Sequence, residues 1–158
     1  MRIGHGYDVH AFAANRKLVL GGVHIPSELG LAGHSDADVL THALMDALLS
    51  AARLPDIGQL FPDTAKEFED IDSCKLLSAV AAKLKEKNFT IVDCDLTIAA
   101  EEPKLAPYKE AMRCRLAEVL NLSVEQIGLK ATTTEGLGFV GRKEGICAWA
   151  TVLLDMHN

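Results

Sequence analysis

The sequence predicts an α+β sandwich of the broad α/β class, with one mixed β-sheet and helices packed on one of its faces. Three observations predict it. Segments with strand alternation and segments with helical stripes follow one another in the order β–α–α–β–α–β–β. Caps and breakers bound the helical segments. The last strand is apolar on both faces, so a sheet covered on only one side would leave an apolar face open, and that points to a partner subunit. At 158 residues, one domain spanning 1–158 is expected.

Each element has its own signal. Residues 2–10 alternate, with Ile3, His5, Tyr7 and Val9 on one strand face and Gly4, Gly6, Asp8 and His10 on the other. Residues 18–22 read as a short strand and turn, and residues 30–33 as a loop. Ser35-x-x-Asp38 resembles a capping box and opens a helix over residues 36–53, which Pro55 stops by disfavouring helical geometry at Leu54. Residues 55–72 read as irregular. Ser73 is the expected cap of a second helix, whose buried stripe is Leu76, Leu77, Val80, Ala81 and Leu84. Residues 89–100 form a strand. Pro107 then fits the first turn of a third helix carrying Met112, Leu116, Val119 and Leu120. Residues 127–134 and 146–155 are the last two strands.

Composition narrows the function classes. There are 16 Lys and Arg against 22 Asp and Glu, a net charge of −6, which argues against a nucleic-acid binder. No stretch approaches the ~20 apolar residues of a membrane-spanning helix. Cys74, Cys94, Cys114 and Cys147 form no CxxC pair, so we expect reduced, mostly buried thiols and a cytoplasmic protein. G-x-S-x-G, GxGxxG and GxxxxGK[ST] are all absent. Met112 and Trp149 read as packing.

Two groups of residues carry chemistry. Asp8 and His10 leave the same face of a strand, and His42 lies mid-helix with Asp38 and Asp46 one turn away on either side. If that helix packs beside the strand, Asp8, His10 and His42 converge. Two imidazoles and a carboxylate suit zinc or a similar divalent ion, with a fourth position left for water or substrate. Asp38 or Asp46 would then orient the His42 ring. The same residues also fit a satisfied polar pair and a solvated helix face. The second group, Thr132-Thr133-Thr134-Glu135-Gly136-Leu137-Gly138, offers hydroxyls and backbone N–H groups to phosphate oxygens, and Glu135 to a hard cation. It fits equally a strand end followed by a glycine turn.

Several motifs taken in order resemble one family. Gly4-His5-Gly6-Tyr7-Asp8-Val9-His10, Gly33-His34-Ser35-Asp36-Ala37-Asp38-Val39, Asp56-Ile57-Gly58 with Phe61-Pro62-Asp63, and Ala131-Thr132-Thr133-Thr134-Glu135 are similar to the 2-C-methyl-D-erythritol 2,4-cyclodiphosphate synthases of the non-mevalonate isoprenoid pathway. The resemblance runs the length of the chain. It implies a lyase that converts 4-diphosphocytidyl-2-C-methyl-D-erythritol 2-phosphate to the cyclic diphosphate and CMP, through attack of the 2-phosphate on the β-phosphorus. It also implies a homotrimer with active sites between subunits.

Residue by residue, it implies that Asp8, His10 and His42 hold Zn2+. Glu135 would hold a second ion, Mg2+ or Mn2+, with the substrate diphosphate. His34 and Thr133 would stabilise the transition state. Substrate would further touch Asp8, His10 and Ser35. Asp56, Ile57, Gly58, Phe61, Pro62, Asp63, Thr64 and Ala65 would meet ribose and methylerythritol. Ala100, Glu101, Glu102, Pro103, Lys104, Leu105 and Ala106 would form the cytosine pocket. Thr132, Thr134, Phe139 and Arg142 complete the implied contacts. An isoprenoid diphosphate in the central trimer cavity, lined by Tyr7, Phe139, Arg142 and Glu144, is a further implied partner. The ligand set alone also fits a metal-dependent phosphohydrolase, or a non-catalytic trimer that captures isoprenoid diphosphates.

Overall fold

The computed structural model describes residues 1–157. The chain opens with β1 (Arg2–Ala13), the hairpin strands β2 (Leu18–Leu20) and β3 (Val23–Ile25), and a short β4 (Gly30–Leu31). Helices α1 (Val39–Ala52), α2 (Ile57–Leu60) and α3 (Ser73–Glu86) precede β5 (Phe89–Ala99). Then come α4 (Lys109–Leu120), β6 (Ile127–Thr132), α5 (Gly138–Gly141) and β7 (Gly145–Met156). The main sheet runs β4-β1-β7-β5-β6. β7 is antiparallel to both β1 and β5, while β6 is parallel to β5 after the α4 crossover, so the sheet is mixed as expected.

Helix α1 lies directly on β1 and β7 and is covered in turn by α3. That position explains its sequence: it is buried nearly all round, so it lacks the polar face of a surface helix. Its close seat on β1 depends on two glycines. A Cβ at Gly4 would stand 2.0 Å from the Ala47 carbonyl oxygen, and one at Gly6 2.1 Å from that of Ala43. Glycine on the strand and alanine on the helix let the two backbones approach, and this brings His42 over Asp8. By contrast α3 shows a single buried stripe, with Leu76, Leu77, Val80 and Leu84 inward, as its spacing predicts.

The structure corrects several boundaries. Helix α1 starts at Val39, because its cap is Asp38, whose side chain accepts from Thr41 N; Ser35 does not cap it. Asp72, which accepts from Cys74 N, caps α3 in place of Ser73. Residues 30–33 are not all loop, since Gly30 and Leu31 pair with the end of β1. β3 follows the tight Gly21–Gly22 turn. Within 55–72 the chain forms α2 and a 3-10 turn, Lys66–Phe68. Pro107 sits in a separate 3-10 turn, Ala106–Tyr108, and α4 begins after it. β6 ends at Thr132. All four cysteines are free, with only Cys114 exposed. Burial pushes the Cys74 and Cys94 thiols up to about 12, so neither is a thiolate at neutral pH. No described helix is long and apolar enough to cross a membrane.

The opposite face of the sheet carries only the short α5, whose Val140 packs on Ala99 and Cys147 at one end. Ile3, Tyr7 and Val9 of β1 are exposed there, and the Tyr7 and Trp149 rings lie 5.5 Å apart across β1 and β7. The apolar open face expected from the two-sided last strand is present.

Candidate metal centre and clefts

Asp8 and His10 point from β1 toward α1, where His42 is buried one turn into the helix. Asp8 Oδ2 lies 2.9 Å from His10 Nε2 and 3.2 Å from His42 Nδ1. The two imidazole nitrogens are 3.2 Å apart. The convergence anticipated from the sequence is therefore realised, with three ligand-type atoms in one triangle.

The triangle fits a divalent ion on two counts. Tetrahedral zinc ligands at their usual bond lengths stand about 3.3 Å from one another, close to the separations here. Second, the far nitrogen of His10, Nδ1, faces the Ala32 carbonyl oxygen. A carbonyl only accepts, so Nδ1 carries a hydrogen; Nε2 then has a lone pair for an ion when the ring is neutral and donates to Asp8 when the ring is charged. Electron-rich atoms gathered this closely call for a cation among them. Burial alone would push the Asp8 carboxyl upward, but hydrogen bonds and charge from His10 and His42 outweigh it and bring it down to about 2. Burial likewise opposes charge on His10, and the neighbouring Asp8 carboxylate reverses that and raises its pKa.

The residues orienting His42 differ from those the spacing suggested. Asp38 is fully buried, and its carboxylate accepts from the N–H groups of Gly21, Gly22 and Thr41 and from the Thr41 hydroxyl. Asp46 accepts from Ile57 N. Neither touches the ring. Ser73 Oγ, at 2.9 Å, and Ser35 Oγ, at 3.2 Å, face His42 Nε2 instead. Sequence reasoning missed Ser73 in this role because its helix-start position suggested a cap.

The triangle opens into a cleft of ≈ 360 Å³ whose lining includes His34, Ser35, Ile57, Gly58, Phe61 and Asp63. His34 Nε2 lies 3.0 Å from the Ala65 carbonyl, so it ties the loop before α1 to residues 61–65. Phe61 meets Phe68 edge-on at 5.5 Å. Asp56 caps α2, accepting from Gln59 N at 2.9 Å. Pro62, Thr64 and Ala65 continue this segment.

A second cleft of ≈ 290 Å³ gathers Ala100, Glu101, Pro103, Lys104, Leu105 and Ala106 against Thr132 and Thr133. Glu101 folds one carboxylate oxygen, Oε1, back onto the turn at 134–136. It accepts from Thr134 N at 2.9 Å, Thr134 Oγ1 at 3.2 Å and Gly136 N at 3.3 Å. The Thr134 N–H is the chief cause holding its pKa low. Glu101 thus shapes the turn in which Glu135 adopts a φ of 54°. Thr133 Oγ1 accepts from Glu135 N at 3.3 Å. Glu102 pairs with Lys143 at 2.6 Å. Phe139 packs beside Ala99, Val140 and Cys147, and Arg142 pairs with Glu144 at 2.7 Å.

The sequence-predicted residues therefore fall into two groups on one chain. Strands β7 and β5 separate β1, which bears Asp8 and His10, from β6, which leads to Thr133 and Glu135. Three strand spacings amount to about 14 Å.

Comparison with known proteins follows the same lines. A model of the YgbB family matches residues 1–155. A 2-C-methyl-D-erythritol 2,4-cyclodiphosphate synthase from Moorella thermoacetica is 58% identical over 154 residues, covering 98% of this chain and 94% of that protein. One from Syntrophomonas wolfei is 54% identical over 155 residues, covering 98% and 99%. Among solved structures, the bifunctional IspDF from Campylobacter jejuni superposes with a TM-score of 0.95 at 45% identity over 99% of this chain. The chain spans only 42% of that longer protein. A CDP-bound 2C-methyl-D-erythritol-2,4-cyclodiphosphate synthase matches with a TM-score of 0.89 and 38% identity, covering 98% of this chain and 100% of that one.

Proposed function

This chain belongs to the YgbB family, and from that membership we infer that it is an enzyme performing the reaction its relatives are named for, the synthesis of 2-C-methyl-D-erythritol 2,4-cyclodiphosphate. The observation that carries the reading is the Asp8–His10–His42 triangle at the mouth of the larger cleft, in a chain matched end to end by such synthases. The substrate is 4-diphosphocytidyl-2-C-methyl-D-erythritol 2-phosphate. An oxygen of its 2-phosphate bonds to the β-phosphorus, the bond from that phosphorus to the bridging oxygen breaks, and CMP leaves with that oxygen. The whole chain, 1–158, acts as one synthase domain.

The nucleophile belongs to the substrate, so the protein needs no Ser/His or Cys/His pair. What it supplies is position. Holding both ends of one molecule in attack geometry is worth roughly 7–11 kcal/mol of the barrier. In this reading Phe61 and the α2 segment grip the sugar and methylerythritol, and the cleft formed by residues 100–106 takes the cytosine. Ser35 Oγ accepts from Ala37 N at 3.2 Å, which frees its hydroxyl hydrogen for a phosphate oxygen. His34 lines the same cleft and stabilises the transition state in this reading. The Thr133 hydroxyl donates toward oxygens that gain charge in the transition state. Zn2+ held by Asp8, His10 and His42, and Mg2+ or Mn2+ held by Glu135, would supply Lewis acidity that neutralises the phosphates.

A homotrimer with its sites at the subunit boundaries suits two features, the separation of the clefts on one chain and the open apolar sheet face. An isoprenoid diphosphate in the trimer's interior fits Tyr7, Phe139 and the Arg142–Glu144 pair, and a cytoplasmic location fits the free thiols.

The test is direct. Incubation with the proposed substrate and Mg2+ should release CMP and give the cyclic diphosphate, which phosphorus NMR separates from inorganic phosphate or a linear product. His42→Ala should bring CMP release down to background and abolish bound zinc. Inorganic phosphate as the product would mark a phosphohydrolase instead, and full activity in His42→Ala would remove the metal assignment.

A further inference from the structure

One chain of hydrogen bonds outside the metal-type triangle ends on it. Asp36 Oδ1 accepts from Ser73 Oγ at 2.5 Å, and Asp36 Oδ2 from Ser73 N at 3.0 Å. The same Ser73 Oγ lies 2.9 Å from His42 Nε2. Ser73 is fully buried. A carboxylate only accepts, so Asp36 takes the one hydrogen of the Ser73 hydroxyl. Toward His42, Ser73 Oγ is left with lone pairs, and Nε2 must carry the N–H. His42 Nδ1 is then the bare nitrogen, and it faces Asp8 Oδ2 and His10 Nε2, each at 3.2 Å.

We propose that Asp36 and Ser73 are positioning residues that hold His42 in its Nε2–H tautomer, so that Nδ1 offers its lone pair to a divalent ion at Asp8, His10 and His42. The inference rests on the metal reading of that triangle. Ser35 Oγ also faces Nε2, but no carboxylate accepts its hydrogen, so it does not choose the tautomer. Asp38, the nearer candidate in sequence, spends its carboxylate on the Gly21–Gly22 turn and Thr41.

The two segments that carry the lock are themselves fixed together. Asp36 N donates to the Ile71 carbonyl at 3.1 Å and Asp70 N to the His34 carbonyl at 2.8 Å. Arg16 donates to the carbonyls of Leu31 and Ser35 and to Asp70 Oδ1. These bonds hold the segment bearing Asp36 against the segment bearing Ser73.

The experiment measures zinc affinity by chelator competition, together with histidine nitrogen NMR of the metal-free protein. Ser73→Ala should bind zinc about 10–100-fold more weakly than wild type, measured at a temperature where the metal-free variant is fully folded. Ser73→Thr, which keeps the hydroxyl, should restore most of the affinity. The NMR should show protonated Nε2 at His42 in wild type and lose that bias in Ser73→Ala. If wild type binds zinc and Ser73→Ala binds it equally well, the lock is wrong. If wild type binds none, the metal reading itself falls and the lock with it. Should Ser73→Ala not fold, Asp36→Asn probes the far end: it leaves one acceptor fewer for the Ser73 N–H, the Ser73 hydroxyl and the Asp38 N–H. Its zinc affinity should fall in the same direction, and wild-type affinity there would overturn the proposal.

Discussion

Asp8 illustrates how one side chain ties binding to stability. In the metal-free protein its carboxylate and the His10 imidazole form a partly buried pair, 2.9 Å apart. Its pKa is depressed from 3.8 to about 2, so the stability it contributes is complete above the ordinary value and is lost as pH falls toward 2. His10 has the opposite sign. Its pKa is raised above 6.5, so its contribution is complete below that value and disappears as pH rises through the raised one. The pair is therefore at full strength in the window between the two ordinary values. Urea unfolding with chelator present should find Asp8→Asn weaker than wild type by roughly 2 kcal/mol near pH 5. The gap should shrink as pH falls from 3.8 toward 2 and as it rises through the raised His10 value. A gap that widens toward alkaline pH would refute this pairing. The residue scale also shows where spacing misleads. Asp38 is one helical turn from His42, yet its four donors draw it to the Gly21–Gly22 turn and the helix end.

The critical element pair is β1 with α1. Gly4 and Gly6 permit an approach that no side chain would, and that approach sets the distance from Asp8 to His42. Gly6→Ala would put a methyl group 2.1 Å from the Ala43 carbonyl oxygen. The helix must move outward, at a cost of about 1–3 kcal/mol in packing. Thermal unfolding should show the loss, and chelator competition should show weaker zinc binding because His42 travels with the helix. Unchanged zinc affinity would mean that the triangle tolerates displacement of α1. Helix α2 and the turn at 134–136 make a related point. The sequence reads as irregular at the first and as a strand end with a glycine turn at the second, yet Asp56 caps the first and Glu101 organises the second. Such short pieces have too few residues to show periodicity, so a cap or an acceptor from elsewhere in the chain defines them.

For the whole molecule, the sheet has one face packed by helices and one face that α5 covers only at one end. Ile3, Tyr7 and Val9 would be costly to leave in water over a contiguous area. The proposed trimer covers them. Sedimentation should give a species of three times the 17.0 kDa chain mass. Tyr7→Glu should shift it toward monomer and remove turnover while each chain still binds zinc, because the triangle lies on the other face of the sheet. A Tyr7→Glu protein that stays trimeric and active would place the interface elsewhere.

Much was legible in the amino-acid order alone. The alternation of residues 2–10 places Asp8 and His10 on one face, and the apolar stripe of α3, the mixed sheet and the bare apolar face all follow from period and composition. The ordered motifs were enough to indicate the family. What only the folded chain decided are the partners of polar groups. Periodicity says which way a side chain points, but a hydrogen bond is chosen by whichever acceptor lies nearest in space. Ser73 thus serves His42 and Asp36 instead of its own helix end, and Asp38 the reverse, because the 34–38 and 70–73 segments, distant in sequence, meet only in the folded chain.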